Sequence, residues 1–210
     1  MNVMCGMKRV TLYNILLLFI ILFPASAAAA ETAAQVLARC AAKVNSAESL
    51  DVRFTLSAEG SSSSYTMKIS HEKFMMESPE IAVWYNGVTQ WTYVKSNREL
   101  NITDPTAEEL MECNPFSILN FYSKTYDIKR LAGNGIQIEM TAKDRSATVR
   151  KAVITIDSRT YMPSKVLVTL GNGHTMAATV TSVTQGKRPA AKTFTYDKTR
   201  YPASEIIDLR

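Results

Sequence analysis

The chain has 210 residues, with 24 Lys and Arg against 19 Asp and Glu, for a formal net charge of +5 at neutral pH. The two signs are interspersed along it, so there is no nucleic-acid footprint. Two histidines and three cysteines, at spacings that match no metal pattern, argue against a His/Cys metal site.

At the N-terminus, Lys8 and Arg9 precede an apolar run from Val10 to Phe23, followed by Pro24, Ala25, Ser26 and four alanines to Ala30. A positive n-region, a short apolar h-region and overlapping Ala-x-Ala frames read as a secretory signal peptide over residues 1–28, cleaved near residues 27–30. The run falls short of the roughly 20 residues a membrane span needs. No cysteine stands at the cut, so no lipid anchor is expected there, and Cys5 leaves with the leader. The expected mature chain, residues 31–210, keeps 22 basic against 19 acidic residues, a net of +3, and has the length of one soluble domain.

Thr32, with Gln35 three residues on, is a capping box, and Val36, Leu37, Cys40, Ala41 and Val44 recur at helical spacing behind it. That predicts an amphipathic helix from about Ala33 to Val44. From Leu50 the period becomes two: Leu50, Val52, Phe54 and Leu56 alternate with polar residues as a half-buried strand. Gly60 to Ser64 reads as a flexible turn, after which Tyr65, Met67 and Ile69 resume the alternation. Asn86-Gly87 is a strong hairpin signal, because both central turn positions need φ > 0. A two-residue loop would pair Tyr85 with Val88 and Trp84 with Thr89. Trp84, Trp91 and Tyr93 then share one face, and Ile81, Val83, Tyr85 and Val88 the other. Both faces are apolar, so the hairpin is either covered on both sides or turned towards a ligand on one.

Between Asp104 and Phe121 lies a helical insert. Asp104 and Asn114 suit caps, and Pro105 and Pro115 suit first helical turns. The second segment, with Phe116, Ile118, Leu119, Phe121 and Tyr122, is too short and too apolar to stand alone, so it must pack onto the sheet. Strands follow over Thr125 to Lys129, Ile136 to Thr141, Val149 to Asp157, Lys165 to Leu170 and Thr175 to Thr184, with Gly-Asn-Gly turns at 133–135 and 171–173. Close-spaced strands with such turns describe an antiparallel sheet that curls into a barrel or a sandwich.

The order from Trp84 to Phe121 is a hairpin with a Trp-x-Tyr pair, Asp-Pro, an acidic helix, then Asn-Pro-Phe and an apolar helix. With Met162-Pro163-Ser164-Lys165, Phe194-Thr195-Tyr196, Tyr201-Pro202 and the close Ile206 to Arg210, it resembles the periplasmic carriers that shuttle lipoproteins to the outer membrane, the LolA-like proteins, over essentially the whole mature chain. The resemblance implies an α+β fold: a single curved antiparallel sheet, an unclosed β-barrel, with the N-terminal helix and the short helical insert as its lid. It implies a periplasmic monomer that holds acylated lipoproteins or lipids, served by an inner-membrane release complex and an outer-membrane acceptor. The related alternative is a lipid-binding envelope sensor or adaptor, or a general lipid-transfer protein, on the same scaffold. On this reading Phe54, Leu56, Met67, Met75, Trp84, Trp91, Tyr93, Phe116, Ile118, Leu119, Ile138 and Met140 form the acyl-chain cavity, where unbranched methionines suit irregular ligands. The family usually carries an arginine after the Lys-Phe of the strand near Lys73-Phe74, which helps close the lid. Met75 stands there instead, implying a different latch.

Cys40 and Cys113 remain in the mature chain, and an exported compartment permits a bridge between them, though two buried thiols fit as well. Gly186-Lys187-Arg188-Pro189 with Lys192 reads as a solvated turn; contact with an anionic membrane surface is the alternative, and three spread cations fall short of the polybasic cluster it calls for. A Gly-x-Ser-x-Gly elbow, a His-Glu-x-x-His pair, a Walker loop and a dinucleotide fingerprint are all missing from the sequence, so no catalysis and no cofactor are expected. N-terminal sequencing of the exported protein should begin at Ala28, Ala29 or Glu31; a mature product that keeps residues 1–27 would refute the leader.

Overall fold

The structure, a computed structural model, describes residues 31–119, 125–133 and 135–210, without the side chains of Glu112, Cys113 and Pro115. The expected leader, and the packing expected of Phe121 and Tyr122, lie outside the described residues.

Helix α1 (Ala33–Asn45) is capped as its sequence predicts. Thr32 Oγ1 accepts from the Gln35 N–H at 3.2 Å, and Gln35 Oε1 accepts from the Thr32 N–H at 2.9 Å. A long hairpin follows, β1 (Ser49–Ala58) and β2 (Ser61–Ser70), then a meander of short strands: β3 (Lys73–Glu77), β4 (Ile81–Tyr85), β5 (Gln90–Val94) and β6 (Glu99–Thr103). Helix α2 (Ala107–Cys113) and a 3-10 turn (Pro115–Ser117) lead to a second meander, β7 (Tyr126–Arg130), β8 (Ile136–Ala142), β9 (Val149–Ile156), β10 (Pro163–Leu170) and β11 (Thr175–Gly186). A second 3-10 turn (Ala191–Phe194) precedes β12 (Glu205–Asp208).

All strands join one sheet in the order β12-β6-β5-β4-β3-β2-β1-β11-β10-β9-β8-β7. Every pairing is antiparallel except β12 beside β6, and the outermost strands β7 and β12 do not pair, so the barrel is unclosed, as expected. The seam between the two meanders is β1 against β11, where Thr181 is an extra residue between the Arg53–Ser182 and Phe54–Val180 pairs. Its hydroxyl donates back to the Arg53 carbonyl at 3.1 Å, and such a bulge adds local twist to a sheet that must curl.

Three local expectations are corrected. Ser61 to Ser64 are not a turn but the start of β2, with Ser62 opposite Ser57; only Glu59 and Gly60 turn, both at positive φ. Thr106, not Asp104, caps α2 in a full box with Glu109, while Asp104 accepts from the Thr89 hydroxyl at 2.7 Å. The β4–β5 loop has four residues, because the Asn86 carboxamide oxygen accepts from the N–H groups of both Val88 and Thr89 at 2.9 Å. The register therefore pairs Tyr85 with Gln90 and Trp84 with Trp91. A shift of two preserves which residues share a face, so Trp84, Trp91 and Tyr93 are still on one side.

The two faces carry separate cores. The inner one joins Leu50, Val52, Phe54, Met67, Ile138, Met140 and Ile154 of the sheet to Leu37 and Cys40 of α1 and to Phe116, Ile118 and Leu119. The outer one places Ala82, Trp84, Tyr93 and Leu100, with Met75, Trp91 and Ile102, beneath Tyr196 and Tyr201 of the C-terminal segment. Tyr201 stands edge-on to Trp84 at 5.0 Å and to Tyr93 at 5.4 Å, and the Tyr93 hydroxyl donates to the Pro202 carbonyl at 3.2 Å.

Glu77 ties this C-terminal strap down, accepting from Arg200 at 3.0 Å and from Lys95 at 2.9 Å. Burial alone would raise its pKa, but Lys95, with the Tyr201 phenol and Arg200, holds it below its ordinary value of 4.5. A folded pKa below the unfolded one stabilises fully above about pH 4.5 and stops doing so as the pH falls through the folded value. Glu77→Gln should therefore cost about 1–2 kcal/mol in a urea titration at neutral pH. The gap to the parent protein should narrow below pH 4.5; a gap independent of pH would refute this role.

Candidate functional site

Between the inner face of the sheet and its helical cover lies an apolar cavity of about 200 Å³. Ala41 and Val44 of α1 form one wall, Leu50, Val52, Ile69 and Phe74 the floor, and Phe116 and Leu119 the roof. The roof begins with a 3-10 turn, Pro115–Ser117, and passes into helix at Ile118 and Leu119; the chemistry of its first turn sets its position. The Asn114 carboxamide oxygen accepts from the Phe116 N–H at 3.1 Å, and the Ser117 hydroxyl donates to the Asn114 carbonyl at 2.7 Å. With Pro115 at the first helical position, this aims Phe116 edge-on at Phe54, 5.3 Å between ring centres, and Phe54 stacks on Tyr65 at 5.2 Å.

A polar clasp holds α1 at the other side. The Arg39 guanidinium lies 3.8 Å from the Tyr161 ring centre, and the Tyr161 hydroxyl donates to Glu31 at 3.0 Å. Tyr161 sits at φ 57°, held by the Asp157 turn, and the next two residues, Met162 and Pro163, line the cavity. The mouth is polar: Asn45, His71, Glu72 and Lys73 line it and are exposed. Burial, with Glu72 and Asp104 nearby, raises the pKa of Tyr85, which lines the wall below.

Of the residues assigned to the cavity from sequence, Phe116 and Leu119 line it. Phe54, Met67, Ile118, Ile138 and Met140 are buried in the core around it, and Leu56 packs against that core. Met75, Trp84, Trp91 and Tyr93 are on the opposite face, under the C-terminal strap, so their assignment to the cavity is corrected. The reason is alternation: Phe74, Met76, Val83 and Tyr85 face the helices, and their neighbours therefore face away. Met75 itself packs against the outer core, away from the helices. Sequence reasoning did not assign Ile69, Phe74, Tyr85 and Val180 to the cavity; the alternation of Ile69 with its neighbours, and of Tyr85 with Trp84, was the signal that could have found two of them.

Cys40 is a free thiol, fully buried, and burial pushes its pKa up to about 12. The Cys113 side chain lies outside the described residues, so of the two alternatives for the cysteines the structure describes only the buried thiol at Cys40. Among the described residues, no group of three or more His, Cys, Asp or Glu could hold a metal, and no helix is long and apolar enough to cross a membrane.

A half-barrel left open at one seam, with helices over an apolar hollow, defines a recognised class of fold. The family model described as outer membrane lipoprotein carrier protein LolA matches residues 23–172, and the chain belongs to that family. An uncharacterized conserved protein from Thermus thermophilus is similar over 83% of this chain and 98% of its own, at 11% identity and a TM-score of 0.53. A putative outer membrane lipoprotein-sorting protein domain from Vibrio parahaemolyticus is similar over 76% and 94%, at 12% identity and a TM-score of 0.47. A chain of the Pseudomonas aeruginosa MucA/MucB complex is similar over 79% of this chain and 61% of its own, at 15% identity and a TM-score of 0.42. At such identities the likeness is one of fold, and the first of the three carries it. No curated protein sequence matches the chain at a significant level.

Cys40 should resist alkylation in the native protein and react after unfolding. A thiol titration in denaturant without reductant should count two thiols per mature chain, and a count of none would establish a Cys40–Cys113 bridge.

Proposed function

We propose that the protein is a periplasmic carrier that takes the acyl chains of lipoproteins into the inner cavity and conveys them towards the outer membrane. The observation that carries this is the apolar hollow roofed by Phe116 and Leu119. Membership of the carrier family supports it. By that kinship, an inner-membrane release complex would load the protein and an outer-membrane acceptor would unload it.

At about 200 Å³ the cavity is smaller than the roughly 300–1,000 Å³ of typical ligand pockets, so cargo must displace the roof. Energetics permit this. Burying Phe116 and Leu119 contributes about 1.5–3 kcal/mol each, and each buried methylene about 0.8, so about four to eight methylenes balance both side chains. An acyl chain of ordinary membrane-lipid length exceeds that. The reading needs no catalytic group and no cofactor.

The test is binding of a fluorescent acyl probe and its displacement by a triacylated lipopeptide. Leu119→Glu should weaken probe binding at least about tenfold, since a charge in an apolar pocket is strongly disfavoured. Val88→Glu, on an exposed loop, should leave it unchanged. Native mass spectrometry of protein taken from the periplasm should show co-purifying lipoprotein. Free lipid at equal stoichiometry would move the reading to general lipid transfer, and an empty protein with no probe binding would sink both.

A further inference from the structure

The apolar cavity opens beside a second, shallower recess, and the two share His71, Glu72 and Lys73. Arg188, Pro189 and Ala191 form part of the recess's wall. The turn that carries Lys187, Arg188 and Lys192 is therefore folded against the cavity mouth, which its sequence does not reveal. Two other parts of the chain bring cations to the same place. Lys73 is the first residue of β3, and Lys43 stands in the last turn of α1, next to the cavity-lining Val44 and Asn45.

All five cations are exposed, and among the described residues none of their side chains forms an ion pair. Two carboxylates share the rim: Glu72, and Glu48, which accepts from the Arg188 N–H at 3.3 Å. Five positive charges against these two negative ones leave a surplus of three around the polar mouth of an apolar cavity.

We propose that this rim is a docking surface for a bilayer rich in anionic phospholipid, which it meets with the cavity mouth towards the membrane. Four to eight Lys or Arg beside a lipid-binding element recognise anionic headgroups, and the attraction fades beyond a Debye length of about 10 Å. The turn alone falls short of that number, and folding supplies the remainder. Anionic lipid complements the rim's charge, and the adjacent cavity accepts what lies beneath the headgroups. A chain moving between bilayer and cavity would then cross little water. The purpose of the surface rests on the acyl-carrier reading, but its measurement does not.

The experiment is co-sedimentation of the periplasm-purified protein with vesicles of phosphatidylcholine alone and of phosphatidylcholine mixed with phosphatidylglycerol. Binding should require the anionic lipid and weaken as salt rises. Each membrane-facing cation contributes about fivefold, so neutralising Lys187, Arg188 and Lys192 with glutamine should lower vesicle affinity roughly a hundredfold. The thermal midpoint and solution binding of the acyl probe should stay unchanged, and Lys187→Arg with Lys192→Arg should keep full vesicle binding. Equal affinity for neutral and anionic vesicles, or undiminished binding by the glutamine variant, overturns the docking surface. Vesicle binding without any acyl-probe binding would sink the carrier reading and leave this surface standing.

Discussion

The concave face of a sheet whose edge strands never meet has to be covered by chain that is not part of the sheet. Here that cover is α1 and the turn from Asn114 to Leu119. Among the described residues a hollow remains between this cover and the sheet, and that hollow is the cavity. The roof's first turn, Pro115–Ser117, is a short 3-10 piece with little stability of its own, and Phe116, Ile118 and Leu119 bury into the inner core. Segments of low local stability are those that open first. The same apolar contacts that complete the fold in the empty protein are thus the ones a ligand would replace.

The opposite face shows what a permanent cover looks like. Over Trp84 and Tyr93 the strap adds directional contacts to area burial: edge-on tyrosine rings, the Tyr93–Pro202 hydrogen bond, and the charges gathered on Glu77. Around the roof the contacts of Phe116, Ile118 and Leu119 are apolar, and among the described residues the hydrogen bonds of Asn114 and Ser117 hold the turn to itself. Apolar contacts are adaptable and can be exchanged for other apolar groups, whereas an ion-paired strap meets no equivalent partner in a lipid. Strands β3 and β4 are packed between these two covers, with Phe74, Met76, Val83 and Tyr85 towards the helices and Ala82 and Trp84 towards the strap.

Much of this was legible from residues. The Thr32 capping box, the helix behind it, both meanders and the facial partition of β4 and β5 follow from local chemistry and period. The partition survived a wrong loop length because the error was two residues, and alternation repeats every two. What local chemistry could not decide was which apolar face was the hollow one. Trp84, Trp91 and Tyr93 form as good an apolar surface as Val83 and Tyr85, and the segment that covers them lies about a hundred residues away, Tyr93 to Pro202 being 109 apart. The larger aromatic face attracted the assignment, and it was the one already taken. The basic turn is solvated, as its sequence suggests, but its neighbours at the cavity mouth come from α1 and β3 and could not be read locally.

The strap has a consequence for how the chain is made. Strand β12 is the last in sequence, yet it lies at the edge of the meander formed by β3 to β6, whose strands come from the first half of the chain. A polypeptide that emerges N-terminus first forms that half well before Tyr196 and Tyr201 arrive. Throughout that interval the outer face displays two tryptophans and a tyrosine without their cover. A chain cut short after β11 would retain the whole cavity and its roof, and still present that face to every chaperone and protease it met. The strap is thus a brace that closes the outer face only after the rest of the sheet has been made.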